Sequence, residues 1–165
     1  AEKTVSRGKG HSNELFEKIL SVNLGGTFNL ATQSALEMSS LSQIDENGER
    51  GIIVNTASIA AYEGQIGQLA YSASKAGVLG MTLPMARDLA QYGIRVMTVA
   101  PGIFLTPMVN GLPDEVKGNL ATSVPFPSRL GRPEEFADLV IQIIENSMLN
   151  GEVIRLDGAV RLQPR

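Results

Sequence analysis

The chain contains no cysteine, and His11 is its only histidine. Without cysteine there is no disulfide framework, no thiol nucleophile and no thiolate metal site. One histidine is too few for an imidazole-rich metal centre. No run of about 18 apolar residues occurs, so no membrane span is expected. The opening stretch, Ala1 to Gly10, is polar and lacks the apolar core of a secretion signal. Charge of one sign is also scarce: the formal net charge is −3 and the isoelectric point about 5.2. That gives no support to a nucleic-acid groove or an anionic membrane as partner. Cytoplasm is the expected compartment, with the mitochondrial matrix as the alternative if a transit peptide has been removed. Aromatics are few, but hydrophobic residues reach 43%, enough for the core of one domain.

The apolar residues fall into two periods. Leu15, Ile19, Val22 and Leu30 recur at helical spacing. Asn13 is the expected N-cap of that helix, and Glu14 suits its positive end. Asn23, Gly25 and Gly26 are expected to interrupt it, the glycine pair marking a close approach to another element. Residues 1–12 read as a loop, and the polar stretch from Ser39 to Arg50 as a surface turn. By contrast, Gly51 to Ala57, Ile94 to Ala100 and Glu152 to Leu156 are short apolar runs without alternation. Such runs fit strands buried on both faces, hence a parallel sheet. Between them, Ala70 to Gln91 and Pro133 to Asn146 read as helices. Proline and two glutamates open the latter, as a helix N-terminus favours. Residues 103–132, with Pro107, Pro113, Pro125 and Pro127, read as a long loop holding one short helix.

This alternation indicates an α/β fold with helices on both faces of a parallel sheet. A doubly wound sheet has about six strands, however, with its dinucleotide site where the strand order reverses. Only three strands are legible. Gly8-Lys9-Gly10 has no strand before it, so it is not read as a phosphate loop. The expectation is the C-terminal half of a doubly wound, Rossmann-type sheet, residues 1–165 forming the catalytic part of one domain. Three further βα units would amount to roughly 90 residues. Half a sheet would expose an unpaired apolar strand edge. The 165 residues alone are expected neither to bind a dinucleotide tightly nor to be active.

Three positions carry chemistry when taken together. Tyr71 and Lys75 stand four apart on a helix, one turn apart on one face. A fixed cation about 4 Å from a phenol contributes roughly 4 kcal/mol at an effective dielectric of 20, about three pKa units. Tyr71 is therefore a candidate general acid or base. Ser58 ends the first buried strand, on the side where open α/β sheets bind ligands, and its hydroxyl can hold a carbonyl or alcohol oxygen. Each feature has a plain alternative. A Tyr-x-x-x-Lys pair is usually a surface stack, a serine after a strand is usually a cap or turn residue, and Pro101-Gly102 is usually a turn. Order and spacing in combination favour the functional reading.

Asn55-Thr-Ala-Ser58, Tyr71-Ser-Ala-Ser-Lys75, Val99-Ala-Pro-Gly102 and Val22-Asn23 together resemble the signature motifs of the short-chain dehydrogenases/reductases. Leu83 to Leu89, Val124 to Gly131 and Asn150 to Ala159 further resemble the type II 3-hydroxyacyl-CoA dehydrogenase branch, as does the polar insertion from Asp45 to Arg50. The resemblance implies NAD as cofactor and hydride transfer at the 3-hydroxy/3-oxo carbon of a short-chain acyl-CoA. It implies Tyr71 as the proton donor or acceptor and Lys75 as its electrostatic partner and holder of the nicotinamide ribose. Ser58 would position the substrate oxygen, and Asn23 would sustain a water-linked relay through a free backbone carbonyl. Pro101 and Gly102 would line the nicotinamide, Phe104 and Thr106 would meet its carboxamide end, and Gln65 would touch substrate. Leu105 to Arg129 would form a substrate lid, with Met108, Val109, Leu112 and Leu120 either lining an apolar pocket or packing as a small core. The family's Gly-rich turn and its NAD-selecting acid are not found in the sequence. The resemblance also implies a homotetramer through the helices of Asn23 and Tyr71, whose small residues Gly25, Gly26, Ala73, Ala76, Gly77 and Gly80 permit close approach. The alternatives are a 3-oxoacyl-carrier reductase, a steroid or alcohol dehydrogenase using the same residues, and a non-catalytic scaffold. His11 is expected to be an exposed loop residue without a partner.

Overall fold

The computed structural model describes residues 1–164, with the side chain of Met108 outside the description. The chain opens not on a loop but on a small antiparallel hairpin, β1 (Val5–Ser6) and β2 (Lys9–Gly10). Arg7 and Gly8 both have positive φ, 51° and 75°. A two-residue turn matched to strand twist requires that pair, and an arginine in the first position hides it from the sequence. His11 is not unpartnered either. Its Nδ1 lies 2.9 Å from the Ser12 carbonyl and 3.7 Å from Glu2, and its ring meets Phe16 edge to face.

Ser12, not Asn13, caps the first helix, its hydroxyl accepting from the Leu15 N–H at 3.2 Å. Helix α1 (Asn13–Leu20) does not break at Asn23 and the glycine pair. It runs through one π-helical turn, Ser21–Gly25, into α2 (Gly26–Ser39). In that turn the Gly26 N–H donates to the Ser21 carbonyl five residues back, so one extra residue is absorbed without a stop. A Cβ at Gly25 or Gly26 would meet only carbonyls of the preceding turn, Leu20 O at 3.9 Å and Ser21 O at 4.0 Å; the close contact is at Gly77, where a Cβ would stand 2.7 Å from Leu24.

Strand β3 (Gly51–Thr56), helix α3 (Leu69–Leu89) and strand β4 (Ile94–Pro101) follow, then α4 (Pro107–Asn110), α5 (Asp114–Thr122), α6 (Pro133–Glu145) and β5 (Val153–Leu156). The loop expected to hold one short helix holds two. The three strands pair in the order β3-β4-β5, all parallel, with Ile53 opposite Val96 and Val99 opposite Ile154. The central strand β4 is buried on both faces. Ile94 and Val96 pack with Ile53 against Ala31, Ala35 and Ala86 of α2 and α3. Met97 and Val99 pack against Phe136, Leu139 and Ile143 of α6. Helices thus cover both faces, as expected, and β3 carries no ladder partner on its outer edge among the described residues.

Arg95 interrupts the apolar run of β4 yet is only 6% exposed. Its guanidinium makes a two-pronged pair with Glu49, both distances 2.9 Å. It also donates to the carbonyls of Ile143, Ile144, Asn146 and Leu149. A helix end leaves its last carbonyls without intrahelical donors, and Arg95 supplies them for α6 from inside the sheet.

Candidate active site

The carboxyl ends of β3 and β4 open on a cleft of about 830 Å³. Ser58 leaves β3 with an extended backbone and caps the 3₁₀ turn Ile59–Ala61, its Oγ accepting from the Ala60 N–H at 3.1 Å. The cap and the catalytic candidate are therefore one residue: one lone pair of the oxygen is occupied, and the hydroxyl proton remains to donate. Tyr71 enters the same cleft from the first turn of α3. Lys75, one turn on, lies with Nζ 5.9 Å from the centre of the Tyr71 ring and donates to the Thr56 carbonyl at 2.9 Å. Partial burial holds the Lys75 pKa below the ordinary lysine value.

Behind Tyr71 runs a chain of hydrogen bonds. The Asn23 Nδ2 donates to the Ser74 hydroxyl at 3.2 Å, and Ser74 donates to the Tyr71 carbonyl at 2.7 Å. Ser74 is fully buried. The Asn23 carbonyl, expected to be free for water, accepts from the Thr27 hydroxyl at 2.7 Å.

Pro101, Gly102, Phe104 and Thr106 line the cleft opposite Tyr71. Gly102 has no room for a side chain, since a Cβ would stand 2.8 Å from that of Asp157. The Phe104 ring meets Phe136 edge to face, 6.3 Å between centres, and covers Gly131. The segment beyond is tied at its base. Leu105 N donates to Gly131 O at 2.8 Å, and Gly131 N to Ile103 O at 2.9 Å. From it Val109, Val116 and Leu120 reach the cleft, whereas Leu112 is exposed and does not line it; Met108 lies outside the described side chains.

Gln65 reaches the cleft, but its amide is engaged: Nε2 donates to the Gln163 carbonyl at 2.9 Å. With the Ile66 N–H bound to Pro164 O, it fastens the C-terminal stretch, and Leu162 joins the small core of Ile59, Val124 and Val160. This wall carries no sequence motif, since its contacts are made to backbone. Gln68, at the start of α3, also lines the cleft. The signal for it was present, because it stands one turn ahead of Tyr71.

A family model described as short chain dehydrogenase matches residues 3–117. The chain belongs to the short chain dehydrogenase family. Among its relatives within this short chain dehydrogenase family is the 3-hydroxyacyl-CoA dehydrogenase type-2 of Bos taurus, 60% identical over 97% of this chain and 61% of that protein. The protein of the same name from Drosophila melanogaster is 55% identical over 96% of this chain and 62% of its own length. A crystal structure of 3-hydroxyacyl-CoA dehydrogenase type-2 from Mycobacterium avium superposes with a TM-score of 0.96 at 48% identity, covering all of this chain and 64% of that one. The chain spans about three fifths of the length of the curated relatives it matches.

Proposed function

We propose that this chain supplies the proton-transfer and substrate-binding side of an NAD-dependent oxidoreductase acting at the 3-hydroxy/3-oxo carbon of short-chain acyl-CoA thioesters. The observation that carries the reading is the convergence of Ser58, Tyr71, Pro101, Gly102 and Thr106 on one cleft, with Lys75 behind the tyrosine ring. Identity of 60% to a 3-hydroxyacyl-CoA dehydrogenase type-2 supports the substrate class.

The residues present fit the nicotinamide end of such a cofactor. A cleft of about 830 Å³ has the size of a small-molecule site. Lys75 keeps two N–H donors beyond the one given to Thr56, suited to ribose hydroxyls. Pro101, Gly102, Phe104 and Thr106 would hold the ring and its carboxamide. When bound, the nicotinamide exchanges a hydride with the substrate carbon. The protein's part is the proton. Ser58 donates its hydroxyl hydrogen to the substrate oxygen and holds it beside the Tyr71 phenol. Tyr71 gives its proton to that oxygen in reduction and takes it back in oxidation. Lys75 places its ammonium beside the Tyr71 ring, 5.9 Å from its centre. Asn23, through Ser74, fixes the backbone at Tyr71.

We further propose assembly as a homotetramer. An apolar groove formed by Phe28, Leu36, Met85, Leu89 and Tyr92 on the outer face of α2 and α3 supports it, with Leu36 63% exposed. Gly77 does not contribute to such a contact, since Leu24 of the same chain covers it.

The test is turnover. The chain is joined behind the N-terminal part of the bovine relative that precedes the match, and NADH-dependent reduction of acetoacetyl-CoA is followed at 340 nm (about the nicotinamide absorbance maximum). The reading expects turnover that Tyr71→Phe abolishes. A folded, NADH-binding protein that leaves acetoacetyl-CoA unreduced would refute it.

A further inference from the structure

We infer that Gln68 is a specificity-determining residue whose side-chain NH₂ binds the thioester carbonyl of a 3-oxoacyl substrate, one methylene away from the oxygen held by Ser58 and Tyr71. The inference rests on the reading above and names the contact that would select the substrate class.

The orientation of the Gln68 amide follows from hydrogen-bond chemistry. The Gln65 backbone N–H lies 3.0 Å from Gln68 Oε1. A backbone N–H can only donate, so the Gln68 atom facing it is the carbonyl oxygen and not the nitrogen. The NH₂ group then carries both donors away from that bond. Among the described residues no protein acceptor takes either of them, although the side chain is half-buried and lines the cleft. Fixing one end of the amide while leaving the other unpaired is the arrangement of a donor held ready for an acceptor that arrives from solution.

Position supplies the rest. Gln68 is the N-cap of α3, three residues before Tyr71, and both side chains line the cleft. Of the other polar groups lining the cleft, Gln65, Arg161 and Ser123 are engaged within the protein, while Thr106, Asn119 and Gln163 line it elsewhere than at the start of α3. Gln65 Nε2 is given to Gln163, and the Arg161 guanidinium to Glu63, Asp157 and the Val160 carbonyl. Asn119 lies across the cleft on the exposed side of α5. A simple ketone offers one oxygen, which Ser58 and Tyr71 occupy. A 3-oxoacyl thioester offers a second acceptor next to the first, as Gln68 stands next to Tyr71. A site that donates to a particular oxygen discriminates against analogues lacking it, because the donor is then left without its partner.

The test compares acetoacetyl-CoA with 3-oxobutyl-CoA, the thioether that keeps the ketone and the CoA but lacks the thioester carbonyl. Both are assayed with NADH on the joined enzyme described above, by kcat/KM, or by competitive inhibition constant where the thioether turns over too slowly. Gln68→Glu retains an oxygen for the Gln65 N–H and removes both donors; Gln68→Leu removes both functions. The preference for acetoacetyl-CoA over the thioether should fall about tenfold in both variants, chiefly through KM. A preference unchanged within about twofold would overturn the inference, as would a drop in kcat shared by both compounds, which would make Gln68 a positioning residue for Tyr71. If the unsubstituted enzyme reduces neither compound, the proposed function fails first and this inference with it.

Discussion

The Asn23 side chain donates to the hydroxyl of Ser74, which stands between Tyr71 and Lys75 on α3. The link runs from the π-helical turn to α3, and Ser74 passes it on to the Tyr71 carbonyl. Asn23→Ala should therefore act through the placement of Tyr71 rather than through substrate affinity. A misplacement of about 1 Å can cost on the order of 100-fold in rate. The expectation is a kcat lowered at least about tenfold with KM changed less than about threefold, measured by steady-state kinetics. Ser74→Ala should reproduce the effect in part.

Tyr71→Phe removes the proton and leaves the ring. Positioned general acid–base groups contribute roughly 100- to 10,000-fold, and a loss of that size in kcat is expected, with substrate binding retained by calorimetry. Retention of more than about a tenth of the activity would exclude Tyr71 as the proton carrier.

Arg95→Met leaves the Glu49 carboxylate and several α6 carbonyls without donors in a largely buried region. Breaking a buried pair by removing one partner costs about 3–5 kcal/mol. Urea unfolding should show a loss of that order. Arg95→Met combined with Glu49→Leu should recover part of it, because the orphaned charge is then gone.

Glu135 accepts two bonds from the Arg129 guanidinium and one from the Arg132 N–H, and its pKa is lowered to about 2, the Arg129 bond contributing most. A folded-state pKa below the unfolded value stabilises the fold while the carboxylate is charged. That stabilisation is complete above about pH 4.5 and is lost as pH falls toward 2. Hydrogen-exchange protection factors of residues 128–135 should fall over that window, and Glu135→Gln should flatten the dependence.

Two glycines of α3 should respond in opposite ways. Gly77→Val places a branched side chain where a single Cβ already meets Leu24 at 2.7 Å, and overpacking costs about 1–3 kcal/mol. Gly80→Ala meets nothing within 4 Å and should raise the stability of the chain by about 1 kcal/mol through helix propensity. Thermal melts of the two variants distinguish them directly.

The three strands were legible because burial on both faces writes an unbroken apolar run, and β3, β4 and β5 end within a residue or two of the positions read from sequence. That Ser58 and Tyr71 would meet, with Lys75 beside the tyrosine ring, was legible because a strand end and a helical spacing are local features. What escaped was carried by the backbone. The π turn at Ser21–Gly25 leaves no compositional mark, and the glycines suggested a break where the helix only shifts its ladder. The hairpin turn at Arg7–Gly8 uses a residue type that rarely takes positive φ. Gln65 lines the cleft as its place between serine and tyrosine suggests, but the partner of its Nε2, the Gln163 carbonyl, is 98 residues away and could not be read from sequence.

The pair of hydrogen bonds that ties Leu105 and Ile103 to Gly131 makes the intervening segment a closed loop with a fixed base. For such a loop, doubling its length adds only about 0.6 kcal/mol of closure cost, and none of it reaches the helix that holds Tyr71 and Lys75. The segment is in effect a cassette. Changes of sequence or length within it can reshape one wall of the cleft while Ser58 and Tyr71 stay where β3 and α3 hold them, so the variable and the fixed walls of the cleft lie in separable stretches of one chain.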